Sequence, residues 1–355
     1  MFTIMNYHFN PFEISICGYS GLGKTTLICK LIQSLSKTYR MGYIKHDAHH
    51  FEMDKKGKDT YKVSQSGASS VGIYSSQKNT MAIIGENNNS TFTDIYNDFD
   101  IVLIEGLKGV ESLPKIVFLD ESNAILDEVD DKDIILTISS SERDNITRAE
   151  NAIRDYFLLK ITQLPLYGLV LTGGYSKRMG KDKAFLNYTN KNQYQHCLDL
   201  LAPTCEKVFL SCRETQVSQF DADNDKVVDQ FLNMGPLGGI MSAQKQYPNV
   251  AWLVIACDLP FLTTQTLTHL IKNRHPYKMA TAFRSAVNSF PEPLCAIYEP
   301  KSYHANLNFL GRGCQCPRKI LANTDCHLID LIDLRALDNI NTMEGFKEIM
   351  EVCHD

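Results

Sequence analysis

The sequence predicts an α/β protein in which two doubly wound domains follow one another along the chain. Two places share one design, in which an apolar strand leads through a glycine-rich turn into a helical segment. The length of 355 residues fits this division, since a domain commonly takes about 150 residues. Nearly continuous apolar runs, such as residues 101–104, are typical of parallel strands that are covered on both faces.

In the first half, strands and helices alternate. A strand at 13–17 leads through the turn at Gly18 into a helix that we expect to end near Lys37. The other strands of this half are predicted at 42–45, 81–84, 101–104, 115–119 and 134–138.

A helix over 146–163 closes the first half. Pro165 follows it, and because proline cannot continue a helix interior we place the boundary there, with domains over 1–163 and 164–355. A doubly wound sheet in the second half would place its site outside the carboxyl ends of the strands. Those strands are predicted at 166–171, 207–211, 226–228, 252–256, 279–282 and 294–298.

Composition and charge narrow the class of protein. Acidic side chains outnumber basic ones, and the net charge of −5 argues against a broad basic surface that binds nucleic acid. The odd number of cysteines, 11, and an amino terminus without an apolar segment favour a cytoplasmic protein. The most apolar stretch, 251–262, is short and contains Asp258, so we expect no membrane span. Cys314 and Cys316 lack a second pair at ligand spacing, so we expect no zinc site there.

The first turn carries a phosphate-binding pattern. Residues 18–25, Gly-Tyr-Ser-Gly-Leu-Gly-Lys-Thr, match G-x-x-x-x-G-K-[ST] between a strand and a helix. Backbone N–H groups of such a loop wrap phosphate oxygens at the start of a helix. Lys24 would reach the β and γ phosphates, and the Thr25 hydroxyl would bind Mg²⁺. The predicted phosphate-binding residues are Gly18, Gly21, Gly23, Lys24, Thr25 and Thr26.

A carboxylate near the end of a strand commonly completes such a Mg²⁺ site. Glu105, which closes the strand at 101–104, is the stronger candidate, and Asp47 is another. The alternative for Glu105 is a solvated loop carboxylate. Asp47 lies within a cluster of histidines. The cluster could bind a metal or a phosphate, or its imidazoles could make only local hydrogen bonds, and the residue types leave both interpretations open. The cluster consists of His46, His49 and His50.

The second turn predicts a nucleotidyltransfer site. Residues 171–183 follow a strand, and the paired glycines Gly173 and Gly174 let the backbone approach a triphosphate closely. Arg178 and Lys183 would neutralise its charge. The planar guanidinium of Arg178 can form two parallel hydrogen bonds, whereas the ammonium of Lys183 acts as a single point charge.

Two carboxylates follow strands of the same half. Asp258 stands where a Mg²⁺ on the phosphates would need a ligand, and Asp229 holds a similar position, although either one could merely cap a helix. The loop at 235–239 would shape the pocket around the base. No activated Ser, Cys or His nucleophile is evident, so the second substrate would attack the α-phosphorus and expel pyrophosphate. The predicted catalytic residues are Lys183, Asp258 and Arg178.

Most of residues 12–160 resemble MobB, the GTP-binding adaptors of bacterial molybdenum cofactor biosynthesis. The resemblance rests on the phosphate loop, on Ile-Lys-His-Asp-Ala-His-His at 44–50, on the Gly-Lys-Asp stretch at 57–59 and on Ile-Glu-Gly-Leu-Lys at 104–108. It implies a P-loop NTPase-like domain that binds GTP.

From residue 166 onward the chain resembles MobA, the molybdenum cofactor guanylyltransferases. The matching features are the loop at 171–183, Cys-Asp-Leu-Pro at 257–260, Gly-Pro-Leu at 235–237 and Asn-Ile-Asn-Thr at 339–342. The resemblance implies a Rossmann-like nucleotidyltransferase that transfers GMP from GTP to the terminal phosphate of Mo-molybdopterin, with Mg²⁺ on Asp258. It places Asn339 and Asn341 toward the pterin. The implied GTP contacts are Leu171, Thr172, Gly173, Gly174, Lys183, Ser211, Asp229 and Asp258.

The sequence departs from the MobA pattern at three positions. Thr172 replaces the usual Ala, and we expect its hydroxyl to point away from the phosphates or to bond locally. Met343 stands where Pro commonly follows Asn-Thr. Glu292 begins a segment that often begins with His, which leaves a pterin contact there open.

Three functional hypotheses follow. The first is a guanylyltransferase fused to an assisting GTP-binding domain. The second is a cytidylyltransferase, in which Ala commonly replaces Gly173, and the third is a GTP-dependent adaptor without catalysis, against which Lys183 and Asp258 argue. The expected partners are GTP, molybdopterin, molybdoenzyme apoproteins and upstream molybdenum-insertion proteins, without nucleic acid or membrane. A homodimer stays open.

Overall fold

A computed structural model of the protein describes residues 12–46, 56, 59–66, 70–74, 79–83, 99–143, 145–172, 183–186 and 191–339. The chain divides into two compact units, Met1–Phe157 and Leu158–Asp355. The division falls within the helix Ile146–Gln163. Within the described residues, no helix combines the length and the apolar character that a membrane span requires.

The first unit is built on a five-stranded parallel sheet and a separate antiparallel strand pair. Its elements are β1 (Glu13–Cys17), α1 (Lys24–Leu35), β2 (Met41–Lys45), α2 (Asp59–Gln65), β3 (Ser70–Tyr74), β4 (Asn79–Ile83), β5 (Ile101–Glu105), β6 (Lys115–Phe118), β7 (Ile134–Ile138) and α3 (Ile146–Gln163). The order across the sheet is β2-β5-β1-β6-β7, and β3 pairs with β4.

Burial explains why the first sheet forms. Every residue of β1 and β5 is buried, as expected for central parallel strands. Helix α1 buries Leu27, Ile28, Leu31 and Leu35, which recur at helical spacing, and it packs on β1 and β5. The parallel α/β organisation is therefore confirmed, but β3 was not predicted, and β5 leads to β6 without a helix between them.

The second unit is built on a seven-stranded mixed sheet. Its order is β10-β9-β8-β11-β13-β12-β14, with apolar core clusters on both faces. The elements are β8 (Leu166–Leu171), α4 (Gln193–Leu201), β9 (Lys207–Cys212), β10 (Lys226–Val228), α5 (Pro236–Gln246), β11 (Ala251–Ala256), α6 (Thr264–Lys272), β12 (Ala280–Arg284), β13 (Pro291–Tyr298), α7 (Ser302–Gly311), α8 (Pro317–Ala322) and β14 (Cys326–Ile329).

One strand of this sheet runs against the others. Strand β13 pairs antiparallel with β11 and with β12, while the remaining pairings are parallel. The amino end of β13 therefore lies at the same edge as the carboxyl ends of β8, β9 and β11. This reversal brings residues from the start of β13 beside residues that follow β11.

Candidate functional site

The turn after β1 is held against a neighbouring strand. A Cβ atom on Gly18 would lie 2.7 Å from the Cβ of Phe118, so a larger residue would push the turn away from β6. Gly23 has a φ of 92°, a left-handed conformation that favours glycine, and α1 begins at the next residue. The pattern at 18–25 thus forms a tight loop that ends at a helix amino terminus, where backbone N–H groups bind anions.

The polar side chains of this loop converge with the end of β5. Lys24 Nζ donates to the carbonyl oxygen of Tyr19 at 2.7 Å, so the lysine lies over its own loop. The Thr25 hydroxyl lies 3.1 Å from both carboxylate oxygens of Glu105. Glu105 is 8% exposed, and the phenol of Tyr43 donates to its Oε2 at 2.8 Å. Burial and this hydrogen bond raise the pKa of Tyr43, so the phenol stays a donor at neutral pH.

The order of the strands in the sheet explains why Glu105 lies close to Thr25 and Tyr43. Strand β5 lies between β1 and β2, and Glu105 pairs with Ile16 on one side and with Lys45 on the other. A carboxylate that ends β5 therefore comes beside the phosphate loop. The hydroxyl and carboxylate oxygens are ligands that Mg²⁺ prefers, so the residues present fit a Mg²⁺ ion.

A second cluster, of Tyr19, Lys108 and Glu128, surrounds the side chain of Tyr19. The Tyr19 phenol donates to Glu128 Oε1 at 2.6 Å, and this bond raises the pKa of Tyr19 to about 12. Lys108 lies 5.2 Å from the centre of the Tyr19 ring and 2.5 Å from Glu128. Glu128 belongs to a short 3₁₀ helix, Ala124–Glu128, and sequence reasoning did not single it out.

Several predicted residues of the first unit lie outside the described residues. They are Asp47, His49 and His50, so the histidine cluster is described only at His46. The backbone N–H of His46 donates to the carbonyl oxygen of Glu105 at 2.9 Å. This bond extends the pairing of β2 with β5 up to the site.

In the second unit, a chain of hydrogen bonds joins the ends of three adjacent strands. The Thr172 hydroxyl donates to the carbonyl oxygen of Ser211 at 2.6 Å, and the Thr172 N–H donates to the same oxygen at 3.2 Å. The Ser211 hydroxyl donates to Asp229 Oδ1 at 2.9 Å. Burial raises the pKa of Asp229, and the bond from Ser211 opposes that rise. The Thr172 hydroxyl thus bonds locally, across to the end of β9.

Helix α5 presses on this chain of hydrogen bonds. A Cβ on Gly239 would lie closer to the Ser211 hydroxyl than real Cβ atoms come to their neighbours. A Cβ on Gly238 would collide in the same way with the carbonyl oxygen of Phe231. Gly239 therefore allows the close approach of the helix to Ser211, and Gly238 allows its approach to the backbone of Phe231.

Asp258 lies at the wall of a cavity of about 400 Å³. Asn339 lines the same cavity, together with Glu292 from the reversed strand β13 and Arg318 from α8. Arg318 Nη2 donates to Glu292 Oε2 at 2.8 Å. The structure thus brings Asp258 and Asn339 to one cavity and adds the Arg318–Glu292 pair, whose arginine sequence reasoning missed.

The rest of the predicted loop is not placed. Gly173, Gly174, Arg178, Asn341 and Met343 lie outside the described residues. Lys183 begins a short 3₁₀ helix, Lys183–Phe185, but only its backbone is described. The roles predicted for these residues stay predictions.

These two arrangements define the class of protein, a P-loop unit followed in the same chain by a nucleotidyltransferase unit. Residues 13–140 match the family model of MobB, described as molybdopterin guanine dinucleotide synthesis protein B. Residues 168–327 match the model of the MobA-like NTP transferase domain.

Three relatives are similar to this chain. A molybdenum cofactor biosynthesis bifunctional protein from Synechocystis sp. is 42% identical over 53% of this chain and 55% of that relative. A protein from Flavobacterium johnsoniae named probable molybdenum cofactor guanylyltransferase is 27% identical over 49% of this chain and 94% of its own length. A molybdopterin-guanine dinucleotide biosynthesis adapter protein from Haemophilus influenzae is 36% identical over 33% of this chain and 69% of its own length.

The chain therefore belongs to the MobB family through its first part and carries a MobA-like NTP transferase domain in its second part. The two matches thus lie one after the other in a single polypeptide. It spans about half, 55%, of the length of the Synechocystis relative.

Proposed function

We propose that this chain is a molybdenum cofactor guanylyltransferase that transfers GMP from GTP to Mo-molybdopterin and releases pyrophosphate. The observation that carries the proposal is the position of Asp258, which follows the central strand β11 and lines a cavity of about 400 Å³. A carboxylate at the wall of such a cavity could serve both a bound nucleotide and a second substrate in the cavity. This arrangement suits a reaction that joins two phosphorylated substrates. The functional domains proposed for the two activities are 1–163 and 164–355.

The nucleotide half of the site is proposed along the ends of β8, β9 and β10. The hydrogen bonds from Thr172 to Ser211 and from Ser211 to Asp229 support it, because they fix polar side chains at the carboxyl ends of these strands. Asp258 would hold a Mg²⁺ ion, which would neutralise charge on the phosphates. Lys183 and Arg178 are proposed to neutralise the rest of that charge. The proposed GTP contacts are Leu171, Thr172, Gly173, Gly174, Lys183, Ser211, Asp229 and Asp258.

The second half of the site is proposed in the cavity. A terminal phosphate of molybdopterin that enters there would attack the α-phosphorus, and pyrophosphate would leave on the opposite side. Asn339 lines the cavity, which supports its proposed place toward the pterin, and Asn341 is proposed to lie near it. Glu292 stands where His is common in the family pattern, and it forms an ion pair with Arg318, whose guanidinium is proposed as a donor to an anionic substrate.

The first unit is proposed to bind GTP and to hydrolyse it slowly, which would aid the handover of the cofactor. The bond from Lys24 to the loop carbonyl of Tyr19 and the contact of Thr25 with Glu105 support a nucleotide site with Mg²⁺ there. The proposed setting is the cytoplasm, with molybdoenzyme apoproteins and molybdenum-insertion proteins as partners.

A product assay tests the proposed function. Purified full chain, Mg²⁺ and molybdenum-loaded molybdopterin are incubated with GTP or with CTP, and the pterin product is weighed by mass spectrometry. The proposal predicts a GMP adduct from GTP and none from CTP. A CMP adduct would make the protein a cytidylyltransferase with the same fold, and no adduct from either nucleotide would favour the adaptor hypothesis.

A further inference from the structure

The carboxylate of Glu105 receives hydrogen bonds from two different elements. Thr25, at the start of α1, lies 3.1 Å from each of its oxygens, and Tyr43, on β2, donates to Oε2 at 2.8 Å. Both donors approach a carboxylate that is buried at the end of β5. The side chain is therefore held from the loop side and from the side of the neighbouring strand.

These two hydrogen bonds would affect the binding of a cation in different ways. The Thr25 hydroxyl has one proton, and when it is given to Glu105 the lone pairs of its oxygen remain available for a metal. Tyr43 occupies one carboxylate oxygen, which leaves the geometry of the other fixed for a metal-bound water. A carboxylate without the second donor would keep its charge but rotate about its last torsion, which is broad for glutamate.

We propose that Tyr43 is a positioning residue that fixes Glu105 for Mg²⁺ binding at the phosphate loop. The inference rests on the proposed function, since it assumes that Lys24 and Thr25 hold a nucleotide with its metal. In this role Tyr43 acts through Glu105, to which its hydroxyl donates. Its ring is 37% exposed, so removal of the hydroxyl alone leaves the apolar core untouched.

A purely structural role for Tyr43 predicts a different outcome. In that case Tyr43→Phe would lower the unfolding temperature and leave the Mg²⁺ dependence of nucleotide binding unchanged. A positioning role predicts the opposite, with a nearly unchanged unfolding temperature and a weaker response to Mg²⁺. The two readouts together separate the alternatives.

The test measures binding of a fluorescent GTP analogue to the full chain during titration with MgCl₂. The variants are the wild type, Tyr43→Phe and Tyr39→Phe, where Tyr39 supplies a matched loss of a phenol on the segment before β2. Each is also measured with Lys24→Ala, and the signal that survives Lys24→Ala is assigned to the second unit and subtracted.

We expect the half-saturating Mg²⁺ concentration to rise about tenfold in Tyr43→Phe, because partners of metal ligands commonly affect affinity on that scale. Metal-free nucleotide affinity should stay within about twofold, as should all values for Tyr39→Phe. If the wild type binds GTP in a Lys24- and Mg²⁺-dependent way and Tyr43→Phe behaves identically, the inference is wrong while the proposed function stands. If the wild type shows no such binding, both the nucleotide site and the inference are wrong.

Discussion

Strands β1 and β8 are both buried inside a sheet, yet the polar side chains near their carboxyl ends are arranged differently. In the first unit, Thr25 lies within hydrogen-bond distance of Glu105, and Lys24 bonds to the carbonyl oxygen of Tyr19 in its own loop. In the second unit, Asp229 accepts a hydrogen bond from Ser211, while Asp258 lines a cavity of about 400 Å³. The same kind of buried strand thus ends at a compact polar loop in one unit and in a sheet with an open cavity in the other.

The reversed strand β13 accounts for part of that difference. Its amino end carries Glu292 and Pro293 to the edge where β11 ends, and both residues line the cavity with Asp258. The described sheet of the first unit is parallel at each pairing, so its phosphate loop is flanked by carboxyl ends of strands. The change of strand direction therefore adds Glu292 and Pro293 to the wall of the cavity that Asp258 lines.

The largest effect is expected from Asp258→Asn. If Asp258 serves the transfer chemistry, guanylyl transfer should fall by about a thousandfold, the scale of a lost charge-stabilising group. Asp223→Asn, which changes an exposed carboxylate of the same unit, should leave transfer unchanged. Transfer at the wild-type rate in Asp258→Asn would contradict a role of Asp258 in the transfer chemistry.

Lys24→Ala should affect the first unit alone. Loss of a charge-assisted contact with phosphate is expected to weaken GTP binding there by about ten- to a hundredfold. Guanylyl transfer at saturating GTP and molybdopterin should stay at the wild-type rate, because the chemistry is assigned to the second unit. Equilibrium binding and initial rates measure the two effects, and a loss of transfer would contradict this division of labour.

Gly239→Ala should disturb the polar wall beside the nucleotide. The added methyl group collides with the Ser211 hydroxyl and turns it away from Asp229, so the KM for GTP should rise several-fold with kcat nearly unchanged. Overpacking costs about 1–3 kcal/mol, and the better helix propensity of Ala offsets about 1 kcal/mol of it. Gly311→Ala is the matched control, since a Cβ there meets nothing within 4 Å, and chemical unfolding should show no loss of stability.

Asp229→Asn should produce the smallest change, and one that depends on pH. Burial raises the pKa of Asp229 above its ordinary value of 3.8, so the folded state favours the protonated acid. That contribution to stability is present below pH 3.8 and is lost as the pH rises through the raised pKa. The free energy of unfolding of the wild type should therefore fall relative to that of Asp229→Asn over this acid range. Parallel stability curves for the two proteins would contradict the assigned environment.

The sequence predicted the features that depend on local patterns. The phosphate loop, the strands around it and the place of Glu105 at the end of β5 follow from residues that are close in sequence and from parallel strand order. Tyr43 was missed because it reads as an ordinary β-strand residue, and its role depends on β2 lying next to β5. Glu128 was missed because its short 3₁₀ helix leaves no periodic signal.

The second site was predictable only in part for a similar reason. Asp258 and Asp229 follow apolar strands and were identified from that position. The meeting of Glu292 with Arg318 depends on the direction of β13, which an apolar run of residues does not encode. Short strands such as β14, whose residues are mostly half-buried, also escaped the pattern.

In the proposed reaction, the terminal phosphate of molybdopterin attacks the α-phosphorus of GTP in the second unit, without the help of the phosphate loop of the first unit. The most direct measurement follows GTP labelled at the α- or the γ-phosphate through reactions of wild type, Lys24→Ala and Asp258→Asn with Mo-molybdopterin. With the wild type and Lys24→Ala, the α-label should appear in the pterin product and the γ-label in pyrophosphate. With Asp258→Asn, neither labelled product should form. Release of γ-label only as inorganic phosphate, with no α-label on the pterin, would contradict the proposed reaction.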